Sequence, residues 1–274
     1  MSSVNLNFYA NSLHFRTEVR VALPEYPDQR NPDVPRNQAF DPTRKFPVVY
    51  LLHGFTGDYS DWSGMLPIEN FANKYGMALV MPHGYNTWYL NISEQMQMET
   101  YIAEELPAAM EAMLPISSLP ENRFIAGLSM GGTGAMRIAW KYPERYRAVA
   151  SMSGLPDLTL PLGEPEDRAA YEALVAGSIS DCLSSASAFS QSETSIPAIA
   201  ADAVEKGIKL PPLLFMYGRQ DPRFDIQFHS FRQFAEKHHL PVRFSTAEGN
   251  HDFGYWEPSS REFLSWFHEL SYSH

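Results

Sequence analysis

Ser129 stands in "GLSMG", between an apolar run, "RFIAG", and a helical pattern, "MGGTGAMRIAWKY". A serine hydroxyl is a weak nucleophile near neutral pH. It attacks a carbonyl only when a base takes its proton and an acid orients that base. The G-x-S-x-G spacing after a strand and before a helix forces a sharp turn that can hold the hydroxyl outward. Glycines on both sides also permit close strand-to-helix packing with no chemistry at all.

Partners for the serine come later in the chain, in the order Ser, Asp, His. Asp221 follows the apolar run of "LLFMYGRQDPRF", and His251 follows the next run, in "FSTAEGNHDFGYW"; both stand in short glycine-containing loops. Asp225 is the rival acid, although a cap at a helix start explains it equally well. His238, His239 and His268 are rival bases, but each falls inside a helical pattern. Acyl transfer also needs donors aimed at the developing oxyanion. The Met130 amide, at a helix N-terminus, is one candidate, because the first amides of a helix have no internal acceptor. The other is the Phe55 amide, in the loop after the early run of "VVYLLHGFTGDYSDW".

The elements that must position these residues read as an α/β chain. Apolar runs suited to strands buried on both faces occur in "FPVVYLLHG", "MALVMPHG", "RFIAGLS", "YRAVASMSG", "PPLLFMYG" and "VRFSTAEG". Helical patterns alternate with them: Ile68 to Tyr75, Met96 to Met113, Met130 to Tyr142, Ile226 to His238 and Ser260 to Leu270. Strand alternating with helix predicts a mostly parallel central sheet with helices on both faces. Residues 4–23 alternate apolar and polar and predict two antiparallel strands at a sheet edge. A Pro-, Asn- and Asp-rich surface loop follows. Residues 155–205 form an insertion with one or two helices, expected to overhang the edge of the sheet where ligands bind in open α/β folds. Its Leu155, Leu158, Leu160 and Phe189 are candidates to face an acyl group as part of a cap.

Composition narrows the function. At 274 residues the chain suits one domain. A net charge of -11 argues against nucleic acid, whose phosphates need clustered Lys and Arg. Cys182 is the single cysteine, so disulfides and thiolate metal sites are not expected. No His pair has metal-binding helix spacing, and neither metal nor cofactor is expected. No 18-residue apolar window exists to span a bilayer. The N-terminus lacks the pattern of a signal peptide, and the expected location is cytoplasmic.

"LLHGFTGDYSDW", "YIAEELPAAME", "FIAGLSMGGTGAMRIA", "YGRQD" and "EGNHDFGYWE", in this order, resemble the esterase D superfamily of α/β-hydrolases. The likeness covers roughly residues 45 to 270 and is nearest to small bacterial tributyrin and acetyl esterases. S-formylglutathione hydrolases and feruloyl or acetylxylan esterases are cousins. The resemblance implies a serine carboxylesterase acting on short acyl chains, with Ser129 as nucleophile, His251 as base, Asp221 as acid, and the Phe55 and Met130 amides as oxyanion donors. "NTWYLN" resembles the segment lining the acyl site, which implies Trp88 and Tyr89 near substrate. Dimers or tetramers are common in the family. The cysteine-containing oxyanion signature of S-formylglutathione hydrolases is absent, and the insertion has a composition of its own. Other readings are thioester or carbohydrate-ester hydrolysis, acyl transfer to an alcohol, and a non-catalytic hydrolase-fold binding protein.

Overall fold

Five strands among the described residues are buried along their whole length: β3 (Val48–Leu52), β4 (Ala78–Pro82), β7 (Arg123–Leu128), β8 (Ala148–Met152) and β9 (Leu213–Gly218). Strands covered on both faces have no solvent side, which is why they read as continuous apolar runs. The computed structural model describes residues 2–27, 29–38, 40–158, 169–185, 195–221 and 225–272. Leu160 and Phe189, candidates for a cap wall, lie outside the described residues.

The strands β1 (Ser2–Ala10) and β2 (Phe15–Leu23) and the last strand β10 (Val242–Ala247) complete an eight-stranded sheet of order β1-β2-β4-β3-β7-β8-β9-β10, with β1 and β10 at its edges. β1 and β2 pair antiparallel, β2 meets β4 antiparallel, and every later neighbour is parallel. β1, β2 and the six later strands of this sheet occur where the patterns predict them, but β10 is the far edge of the sheet and only partly buried, not covered on both faces as "VRFSTAEG" suggested. A separate small hairpin joins β5 (Asn91–Ser93) and β6 (Met96–Gln97).

Alternation along the strands builds two apolar layers. Val48, Tyr50, Leu52, Ile125, Val149 and Phe215 face one cluster. Into it pack helices α2 (Leu106–Met113), α3 (Met130–Lys141), α4 (Ala169–Ser185), α5 (Ile196–Glu205) and α6 (Asp225–Lys237). Val49, Leu51, Phe124, Ala126, Met152 and Met216 face the opposite way, where α1 (Ile68–Tyr75) and α7 (Phe253–Tyr272) cover them. Helices therefore lie on both faces.

Two helical expectations need correction. The pattern from Met96 to Met113 is not one α-helix. Met96 and Gln97 pair with the hairpin, and Tyr101–Glu105 form a π-helical turn ahead of α2. Pro107 has no amide to offer the Ala103 carbonyl, and the Arg145 guanidinium donates to that oxygen instead, at 2.8 Å. The last helix begins at Phe253 rather than at Ser260 and continues through Pro258. It starts there because the Asp252 side chain accepts from the Tyr255 amide at 3.1 Å, capping the first turn.

Candidate active site

Ser129 sits at the junction of β7 and α3 with φ 53° and ψ -120°. A non-glycine residue held there costs on the order of 1–3 kcal/mol and persists only where its surroundings enforce it. They do so at close range. A Cβ on Gly131 would stand 2.1 Å from the Leu52 carbonyl oxygen, and one on Gly127 would stand 2.1 Å from the Gly131 backbone. The Ser129 amide is tied to the Met152 carbonyl at 2.8 Å. The glycines thus serve close packing and also hold the serine out; the two readings of this turn are one arrangement.

The loops after β9 and β10 bring Asp221 and His251 to this serine. The His251 Nδ1–H donates to Asp221 Oδ2 at 2.6 Å, and Nε2 lies 2.9 Å from Ser129 Oγ. With Nδ1 protonated, Nε2 is left to accept the serine proton. The Asp221 side chain is fully buried and that of His251 nearly so. The imidazole also stands edge-on to Trp256, ring centroids 5.1 Å apart. Asp225 instead begins α6. His238 and His239 follow the end of that helix, and His268 bonds the Tyr75 carbonyl at 3.0 Å.

The loop after β3 passes beside the serine, since a Cβ on Gly54 would lie 3.5 Å from Ser129 Cβ. The Gly54 carbonyl accepts from His53 Nδ1–H at 2.7 Å and from the Gly57 amide at 3.2 Å. Its peptide with Phe55 is trans. Pinning the carbonyl therefore turns the Phe55 N–H the opposite way. His53 is fully buried, and its Nε2 accepts from the Gly84 amide at 2.8 Å. Burial lowers its pKa to about 4, so the ring stays neutral in this tautomer. The Met130 amide, the other predicted donor, is in the first turn of α3.

A cavity of ≈ 310 Å³ opens over these groups. Its floor is Leu128 and Ser129. One wall runs from Gly54 to Gly57 with Asp61, and the other is His251 to Phe253 with Trp256. Trp88 and Tyr89 are not on these walls. Trp88 stacks behind Phe55, centroids 6.2 Å apart, and its indole N–H donates to Ser178 of α4 at 3.2 Å. Tyr89 is fully buried one layer lower, with its hydroxyl donating to the His53 carbonyl at 3.1 Å.

The Esterase family model matches residues 10–261 of this chain. The chain belongs to the Esterase family. An acetyl esterase of Caldicellulosiruptor saccharolyticus is 27% identical over 99% of this chain and 100% of its own length. A substrate-bound, fluorophosphonate-binding serine hydrolase of Staphylococcus aureus is similar in fold, with a TM-score of 0.79 over 97% of this chain and 98% of that one, at 24% identity. An S-formylglutathione hydrolase of Agrobacterium tumefaciens has a TM-score of 0.72 over 98% of this chain and 95% of its own, at 18% identity.

Beneath the site of this esterase lies a buried ion network that sequence reading missed. Arg137 of α3 pairs with Glu99 and also donates to the Tyr89 carbonyl. Glu99 further holds Lys141 at 2.9 Å and accepts from the Tyr142 hydroxyl at 2.7 Å. Burial pushes the Glu99 carboxyl up, but Arg137 and Lys141 outweigh it and hold the pKa at about 2. Asp61 was missed as well. Burial raises its carboxyl to about 6, the Gly54 amide partly opposing and the Asp58 charge adding to the rise. The only sequence signal was its place in "GDYSDW", seven residues beyond Gly54. Among the described residues no group of His, Cys, Asp and Glu could hold a metal ion, and no helix is long and apolar enough to cross a membrane.

Proposed function

We propose that this esterase is a serine carboxylesterase that hydrolyses short-chain acyl esters through an acyl-serine intermediate. The observation that carries the reading is the continuous chain Asp221–His251–Ser129, at 2.6 and 2.9 Å, ending on a serine in a strained turn. Ser129 Oγ attacks the ester carbonyl as its proton passes to His251 Nε2. Buried Asp221 stabilises the imidazolium that forms. The carbonyl oxygen gathers negative charge, and the amides of Phe55 and Met130 are the donors proposed to receive it. Collapse of this adduct breaks the bond to the alcohol, which leaves with the proton from His251. Water then repeats the sequence on the acyl-serine, releasing the acid and restoring Ser129.

A short acyl chain is supported by the full-length similarity to an acetyl esterase. The test is Ser129→Ala, which should lower turnover on butyryl esters by on the order of 10⁶ with the fold intact. A serine-directed phosphonate should label the wild type at Ser129 and leave this variant unlabelled. More than a few per cent of residual activity, contamination excluded, would overturn the assignment.

A further inference from the structure

Asp61 faces the cavity but takes no part in the proton transfers proposed above. His251 Nε2 must hand its proton to the departing oxygen, so the alcohol portion lies on the His251 side of Ser129. The cavity over Ser129 is lined by His251–Phe253 and, across from them, by the Gly54–Gly57 wall that carries Asp61, so an alcohol held beside His251 in this cavity faces Asp61. Two carboxylates and no Lys or Arg line the cavity among the described residues. Asp252 is exposed and engaged in capping α7. Asp61 is half-buried, where solvent screens a charge less.

We infer that Asp61 is a specificity-determining residue of the leaving-group subsite, favouring esters of cationic alcohols and opposing those of anionic alcohols or thiols. The inference rests on the proposed esterase reading and extends it to the alcohol. A unit charge held roughly 6–7 Å from a partly screened carboxylate changes kcat/KM by about tenfold. The chain's net charge of -11 acts in the same direction at longer range. Because burial lifts the Asp61 carboxyl to about 6, the group is ionised in mildly alkaline solution and is neutralised on mild acidification. The titratable groups near it are Asp58 and the buried Tyr89, with His251 and Asp252 across the cavity.

The experiment compares butyrate esters of choline, of its uncharged isostere 3,3-dimethylbutanol, and of 4-hydroxybutanoate. They are assayed on the full chain at about 10 mM ionic strength, where charges act over roughly 30 Å. The readout is the ratio of kcat/KM values, in which the need for a neutral His251 cancels. In the wild type the choline ester should exceed its isostere by about tenfold, and the anionic ester should fall below it by a similar factor. Asp61→Asn should bring all three within about twofold, while Asp61→Glu should keep the order. Should Asp61→Asn not fold, the wild-type ratio itself should contract as pH is lowered through about 6. No hydrolysis of any of the three would overturn the esterase reading and this inference with it. Hydrolysis without charge preference, or a preference that survives Asp61→Asn or acidification, would overturn this inference alone.

Discussion

Gly218 and Gly249 lie against each other: a Cβ on Gly218 would stand 2.3 Å from the Gly249 carbonyl oxygen. The two glycines belong to the loops that carry Asp221 and His251. The same Gly249 carbonyl accepts from the Gln220 amide at 3.0 Å, and the Asp221 amide closes its own turn on the Gly218 carbonyl at 3.0 Å. At the loop surface Arg219 and Glu248 pair at 2.5 Å. Asp221 and His251, the proposed acid and base, are thus set by one joined unit of backbone.

A methyl group at position 218 must force that unit apart. Gly218→Ala should therefore lower kcat by about 100-fold, the loss expected when a catalytic group is misplaced by about 1 Å. KM should move much less. Steady-state kinetics on a butyryl ester, with circular dichroism to confirm the fold, checks this. An unchanged kcat would mean that the loops adjust independently.

His53 should act on rate through the peptide it pins. His53→Ala frees the Gly54 carbonyl from one of its two donors and lets the Phe55 amide turn. If that amide is the oxyanion donor proposed above, its loss costs on the order of 10²–10³ in kcat. The same residue contributes a pH dependence to stability. An unfolded histidine takes a proton near 6.5, whereas the folded ring resists until about 4. The unfolded chain therefore binds more protons across that interval, and stability falls as pH is lowered through it. Urea unfolding at several pH values should show that slope in the wild type and a shallower one in His53→Ala.

Glu99 acts in a lower window. Its ordinary value is 4.5 and its folded value about 2, so its contribution is present above 4.5 and is lost as pH falls toward about 2. Glu99→Gln leaves Arg137 buried without its charge partner, which costs about 3–5 kcal/mol. Denaturant melts at neutral pH should register that loss. A change below about 1 kcal/mol would show that Arg137 finds another partner.

How far these features were legible in the sequence follows from what each depends on. Ser129, Asp221 and His251 stand directly after apolar strands in glycine-containing loops, and a parallel sheet delivers such loops to one edge. Local pattern sufficed to bring these three residues to one place. Glu99 and Arg137 were not legible, because a charged residue reads as solvated until the fold removes its water. Asp61 looked like an ordinary loop carboxylate for the same reason. "NTWYLN" suggested a pocket wall for both Trp88 and Tyr89, yet the pocket depends on backbone turns that composition does not encode. Positive φ at both residues, 53° and 56°, directs Trp88 behind Phe55 and Tyr89 into the core. The two helical patterns misjudged were those that contain Pro107 and Pro258; at Pro107 the Arg145 guanidinium meets the carbonyl that proline leaves open.

Leu155 and Leu158 are buried in the cluster that holds Val175, Ile179 and Ile196. Neither lines the cavity over Ser129. Changing either to Ala should cost about 2–5 kcal/mol of stability through the cavity left behind. The ratio of rates on acetyl, butyryl and octanoyl esters should stay the same. A shift toward octanoyl esters in a folded variant would instead make these residues part of the acyl wall.

Trp88 separates two roles for the segment that carries it. Its indole is clamped between Phe55 and Ser178, so it couples helix α4 of the insertion to the loop that presents the Phe55 amide. Removing the ring should loosen that amide without opening new space for the acyl chain. Trp88→Ala is therefore expected to lower kcat by at least tenfold on every ester, with acyl-length ratios changing less than twofold; a lost apolar wall would shift them by about 1–3 kcal/mol, or 10–200-fold. Trp88→Phe keeps the stack on Phe55 and gives up only the bond to Ser178, so it should recover most of the rate. Measuring kcat and kcat/KM for acetyl, butyryl and octanoyl esters on both variants decides between the roles. A selective gain on octanoyl esters in Trp88→Ala would place the indole against the acyl chain, and failure of Trp88→Phe to recover rate would make the Ser178 link the part that matters.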